Sequence, residues 1–166
     1  MILATIQPSF LPWLGYLEQV DVADVFVYLD DVRYTAQDWR NRNRFLDRAG
    51  VVQYLTVPVK AGSERLLINE VRIAEDPTWI RKLCNRLRAW YAGAPAGPRS
   101  VDAVVEVLNR RHDRLVDLNY DLMDILFHGF GITTPTFLSS DAAIAATDKN
   151  QRLIDLCLQH GADVLY

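Results

Sequence analysis

Two short apolar runs, Ile2 to Ile6 and Val25 to Leu29, flank a connection too long for a hairpin. Neither run alternates apolar with polar, and such near-continuous apolarity suits strands covered on both faces, as in parallel sheets. Parallel neighbours need a crossover that can hold a helix. Leu14, Leu17 and Val20 mark a short helical face in that connection. The start of the chain therefore commits it to strand, loop, helix, strand, the unit of a layered α/β fold.

The loop between the first strand and its helix is Gln7-Pro8-Ser9-Phe10-Leu11-Pro12-Trp13-Leu14-Gly15-Tyr16. Two prolines and large aromatics are not needed to reverse a chain, which Gly, Asn or Asp do more simply. Rigid aromatic loops beyond buried strands are where open α/β sheets bind ligands. The segment reads as one wall of a pocket.

Further along, Arg33 to Gly50 is a polar stretch with five arginines, followed by a third strand candidate, Val51 to Val57, stopped by Pro58. Leu66 to Ile73 alternates loosely and reads as a short edge strand. Asp76-Pro77 starts a helix that runs to Tyr91 with Trp79, Ile80, Leu83, Cys84, Leu87 and Trp90 on one face. After the breaker Ala92 to Pro98, Ser100 caps a second helix whose inner stripe runs from Val101 through His112 to Leu126, ended by Gly129 and Gly131. Ile132 to Leu138 is a fourth strand candidate. Asp148, with Gln151 after it, resembles a capping box opening a helix that Gly161 ends. Ala162 to Tyr166 begins another apolar run. The expected architecture is a mostly parallel sheet covered by helices, in a single domain over residues 1–166.

Half of the residues are apolar and the net charge is -3, so no bulk attraction to nucleic acid or anionic membrane is expected. No apolar run is long enough to span a membrane, and no secretory leader is visible at the N-terminus. Cys84 and Cys157 each fall in a helical apolar pattern and read as buried reduced thiols, which suits a cytoplasmic protein.

If the strands are parallel, Gln7-Pro8, Asp30-Asp31, Val59-Lys60 and Ser139-Ser140-Asp141 gather at one sheet edge and make a site for a polar small molecule. Asp30 and Asp31 are the candidates for acid–base or cation-coordinating work. While the strand continues, only one of them can face a pocket; as turn or capping groups they would do neither. Trp39-Arg40-Asn41-Arg42-Asn43-Arg44 presents forked donors suited to phosphate or carboxylate, or else a solvated basic face. His112, His128 and His160 lack zinc-ligand spacing, so no metal site is expected; His112 reads as a core histidine, and His160 as a helix-end cation. Ser139 and Ser140 sit in no G-x-S-x-G frame, and no P-loop or G-x-G-x-x-G occurs.

The segment Gln7 to Tyr16 resembles a WbqC-like family protein. The likeness continues through Asp24 to Val27, Asp30 to Val32, Asp38 to Asn43, Leu55 to Val59, Trp79, Tyr91 to Pro95, Asp117 to Asn119, Gly131-Ile132, Ser139-Ser140, Arg152 to Ile154 and Gly161 to Asp163. The resemblance implies a role in bacterial O-antigen or other polysaccharide biosynthesis. It departs at Leu83, where the family carries His, and at Tyr166, beyond which members continue, so a C-terminally truncated chain is one expectation. The first unit is also similar to Rossmann-like nucleotidyltransferases, although Pro12 to Tyr16 lacks both histidines of their H-x-G-H pattern.

Two functions are expected from these readings. One is a transferase acting on a sugar-linked metabolite, with Asp30, Asp31 and Asn41 catalytic. Gln7, Pro8, Trp13, Tyr16, Trp39, Arg40, Arg42, Asn43, Ser139 and Ser140 would then bind a nucleotide sugar or acyl donor, with the cofactor left open. The other is a non-catalytic binding or assembly protein of the same pathway.

Overall fold

In the computed structural model, which describes residues 1–142, 144–146 and 148–166, strand β1 (Ile2–Ile6) lies between β2 (Val25–Tyr28) and β6 (Val164–Leu165). Strand β5 (Thr136–Leu138) pairs with the far side of β2. The order is β5-β2-β1-β6 and every pairing is parallel, as the apolar runs predict. Ala4 stands opposite Phe26 and Thr5 opposite Val27, so alternate residues feed two different cores.

Helix α1 (Leu14–Val22) covers one sheet face. Its Tyr16, Leu17 and Val20 pack with Ala4, Phe26 and Tyr28, together with Met123 and Phe127 of α4 (Leu115–Phe130). Leu3 and Val27 face the other way, onto Leu156 of α5 (Lys149–His160). A separate cluster is built from α2 (Thr78–Tyr91), α3 (Gly97–Asn109) and the first half of α4. Helix α4 thus contributes to two cores, with Leu115, Leu118 and Leu122 in one and Met123 and Phe127 in the other.

Several sequence expectations are corrected. The polar stretch is not all loop: β3 (Arg42–Leu46) lies within it and pairs antiparallel with β4 (Val52–Thr56). Its inward positions are Asn43 and Phe45, and a buried asparagine hides the period-2 signal. The third strand candidate therefore belongs to a two-stranded ribbon, not to the parallel sheet. The supposed edge strand 66–73 makes only isolated bridges, Arg33 to Leu67, Val59 to Ile73 and Arg72 to Arg114, around a 3-10 turn at Ile68–Glu70.

Last, the long helix after the breaker is two helices. Segment 110–114 leaves the helix because its backbone is bonded elsewhere: Ile73 N–H donates to Asp113 O and Leu115 N–H to Val71 O. Ser100 also falls inside α3, which starts at Gly97-Pro98. Gly97 is required there by close approach, since a Cβ would meet the Tyr91 carbonyl oxygen at 2.0 Å. Gly131 caps α4, while Gly129 lies inside it, and the ends of α5 fall where the sequence puts them. The Asp148 side chain accepts from the N–H groups of Asn150 and Gln151, and Gly161 closes α5 in the left-handed region at φ 68°. The Gln151 side chain, however, turns to Asp155 and does not complete a capping box.

The turn of the β3–β4 ribbon gives a pH-dependent element. The Asp47 carboxylate accepts from Val51 N–H and Ala49 N–H at 2.9 Å and from Gln53 Nε2 at 3.0 Å. The Val51 bond, followed by that of Gln53, holds its pKa below the usual carboxylate value. A depressed folded pKa stabilises above the unfolded value, and that contribution disappears as pH falls through the folded one. The melting-temperature gap between the wild type and Asp47→Asn is therefore expected at neutral pH and should close as pH falls through and below the ordinary carboxylate pKa of about 4. A gap that persists at the acid end would show that the turn does not depend on the charge.

Candidate functional site

The strand ends of β2 and β5 meet at one edge, and there the chain turns sharply. Asp30 N–H folds back onto Tyr28 O at 3.0 Å, so the strand alternation stops before the two carboxylates. The strand ends before them, so the limit of one per face does not apply, and both converge on the segment after β5, Asp30 as an acceptor for the 139–140 turn. Asp30 is 2% exposed. Its Oδ1 accepts from Ser140 N–H at 3.0 Å and lies 3.2 Å from the Ser139 hydroxyl, and its Oδ2 accepts from Ser140 Oγ at 2.7 Å and from Asn69 Nδ2 at 3.4 Å. The Ser139 hydroxyl is also bonded to Asp31 Oδ1.

Asp31 carries the charge that faces outward. Its Oδ2 is paired with the Arg152 guanidinium from the first turns of α5, and the two side chains are 20% and 19% exposed. Sequence reading did not place Arg152, Asn69 or Asn119 in the site. Two of them carried a signal: Arg152 stands four residues before the buried Leu156, and Asn119 four after the buried Leu115. A polar residue on the apolar stripe of a helix points to an interior partner.

Beside β1, Asn119 is fully buried, and its Nδ2 donates to Arg40 O at 2.9 Å and reaches Pro8 O at 3.5 Å. Asn41 Nδ2 donates to Val57 O at 2.9 Å, and Asn43 Nδ2 donates to Leu11 O at 2.8 Å and Phe10 O at 3.2 Å. Both asparagines thus hold the proline-aromatic loop and the ribbon in place. Leu11, pinned this way, adopts φ 44°, a region disfavoured for a leucine. Arg40 Nη1 pairs with Asp38 at 2.7 Å, whereas the Arg42 guanidinium lies over the Tyr54 ring. The Oδ1 atoms of Asn41 and Asn119, Arg40 Nε and the Tyr120 hydroxyl are buried without a protein hydrogen-bond partner.

Among the aromatics, Trp13 is 47% exposed and sits 5.9 Å from Tyr16 and 6.1 Å from Trp39, centroid to centroid. Tyr16 itself is buried, donating its hydroxyl to Gln7 O at 3.2 Å. Burial, then the neighbouring phenols of Tyr28 and Tyr120, pushes its pKa well up. Burial, then the Asp30 carboxylate, does the same for Tyr120. Burial and then Asp38 raise Tyr34 to about 12. These phenols remain protonated at neutral pH and are not bases; of the three, Tyr16 is the one that donates a hydrogen bond within the described residues.

Lys60, expected at this edge, is not part of it. It follows the antiparallel ribbon and pairs with Glu75 at 2.7 Å. His112 is 8% exposed at its side chain, with Nε2 3.0 Å from Asp121, as a satisfied core histidine would be. Cys84 and Cys157 are free thiols. Among the described residues no group of His, Cys, Asp and Glu is arranged to hold a metal, and no helix is long and apolar enough to cross a membrane.

The profile of the WbqC-like protein family matches residues 7–166. The chain is also similar to the uncharacterized protein Rv1507c of Mycobacterium tuberculosis, with 33% identity over 161 residues, covering 96% of this chain and 68% of that relative. No solved structure matches it.

Proposed function

The chain belongs to the WbqC-like protein family, and from the polar groups assembled at its sheet edge we propose that it is a group-transfer enzyme. Its substrate would be a polar, sugar-linked metabolite of the kind used in O-antigen and related polysaccharide biosynthesis. The observation that carries this reading is the convergence of Asp30, Asp31, Ser139, Ser140 and Arg152 from three distant stretches of chain. The sheet order supports it. Counted along the chain, the strands lie third, second, first, fourth, as in the first half of a doubly wound Rossmann-like sheet and the first strand of its second half. The order reverses at β1, and such sheets bind ligands beyond the strand ends at the reversal. The loop that follows β1 there is Gln7 to Trp13.

In this reading Asp31 is the general base, held in place by the Arg152 guanidinium, and the exposed Ser140 hydroxyl orients the acceptor. Asp30 is a positioning residue, since its carboxylate is occupied by the 139–140 turn. Trp13 and Trp39, their rings tilted 58° to each other, offer aromatic faces to the donor, a nucleotide sugar or an acyl group. The full use of Asp30 inside the protein favours a second reading, a binding protein without catalysis.

A thermal-shift screen with nucleotide sugars and acyl carriers, coupled to product detection, separates the two. A ligand that shifts the midpoint and is turned over supports the enzyme. Asp31→Asn is then expected to remove at least 99% of turnover, about the worth of a general base, while the ligand still shifts the midpoint. A ligand bound but never converted supports the second reading. A ligand whose shift ignores both Asp31→Asn and Ser140→Ala would place binding somewhere other than this edge.

A further inference from the structure

Away from the sheet edge, a cleft of about 500 Å³ opens between segment 72–77, the start of α2 and the turn joining α3 to α4. Its walls are laced by backbone bonds: Lys60 N–H to Arg72 O at 3.0 Å, Ala74 N–H to Pro58 O at 2.9 Å and Ile73 N–H to Asp113 O at 3.0 Å. The scaffold is therefore fixed before anything binds.

The lining combines an indole, Trp79, and apolar side chains such as Ile73 and Ile80 with the cations Lys60, Arg72 and Arg111. Lys60 and Arg111 have carboxylate neighbours, Glu75 at 2.7 Å and Asp113 at 3.6 Å. Those partners are exposed, and such pairs give way readily to a better anion. Arg72 forms no ion pair and no side-chain hydrogen bond among the described residues. An unpaired guanidinium fork and an indole lining one concave site of ligand size match a molecule with a multi-oxygen anion at one end and a flat ring at the other.

We propose that this cleft binds a nucleoside diphosphate, with Arg72, Arg111 and Lys60 around the phosphates and Trp79 against the base. The inference stands apart from the sheet-edge reading. Lys60, Arg72, Arg110 and Arg111 outnumber the carboxylates Glu75 and Asp113 in the lining, a local positive balance that the overall charge of -3 conceals.

Calorimetric titration of the whole chain with ADP, pyrophosphate and adenosine tests it. ADP is expected to bind best, since it alone offers both ends, with pyrophosphate weaker and affinity falling as salt rises. Arg72→Ala is expected to weaken ADP about tenfold or more, and Arg72→Lys, which keeps the charge and loses the fork, to recover part of that. Arg72 is exposed, and circular dichroism of the variant checks that the fold is kept. Asp31→Asn should leave ADP affinity unchanged. No heat with either ADP or pyrophosphate, an affinity indifferent to Arg72→Ala, or a loss in Asp31→Asn instead would overturn the proposal.

Discussion

Asp30→Ala is expected to lower the free energy of unfolding by about 3 kcal/mol, the cost of taking a buried acceptor away from several donors at once. The carboxylate is 2% exposed and accepts from Ser140 N–H, Ser140 Oγ and Asn69 Nδ2. Alanine leaves those donors facing a void. Each buried donor left unmatched costs about 1–3 kcal/mol, and the terms do not add fully because neighbours relax together. Asp31→Asn should cost far less, since Asp31 is partly open to solvent and the amide oxygen can still accept from Arg152. Urea unfolding followed by the fluorescence of the four tryptophans gives both values. A loss under about 1 kcal/mol for Asp30→Ala would mean that water reaches the turn after β5.

Phe26→Ala is expected to cost a similar amount, about 3–5 kcal/mol, by a different mechanism. Phe26 is fully buried on the central part of the sheet, its ring 5.8 Å from that of Tyr16 and 4.9 Å from that of Tyr28. Its strand is paired on both sides, with β1 and β5. That strand has little freedom to sink into the space left by the ring, so most of the cavity should persist. The urea midpoint should fall without a change of slope, because the surface exposed on unfolding stays nearly the same. A loss below about 1.5 kcal/mol would show that α1 and α4 close over the vacancy.

These two residues differ in how far the chain announces them. Phe26 belongs to an apolar run whose length and flanks already say buried strand. Asp30 is announced as a polar residue after that strand, yet whether its carboxylate meets solvent or a serine pair far along the chain is not a local property. The asparagines show the same limit from the other side. Asn41 and Asn43 read as ligand-facing groups beside arginines, and the fold turns their amides toward backbone carbonyls of Val57, Phe10 and Leu11. The helix break at 110–114 is similar: its local pattern is helical, and bonds to residues 71 and 73 decide otherwise.

By itself, the sequence determined the parallel β1–β2 unit, the amphipathic α2, the capped α5 and the placing of Asp30, Asp31, Ser139 and Ser140 at strand ends. Periodicity, caps and strand direction are set by neighbours along the chain, and they act within a few residues. Only the tertiary structure decided that β3 and β4 leave the sheet, that Lys60 faces a different cleft, and that Arg152 closes on Asp31. Those outcomes depend on which buried donor finds which acceptor across the fold, and a buried polar group takes whatever partner the packing brings within reach.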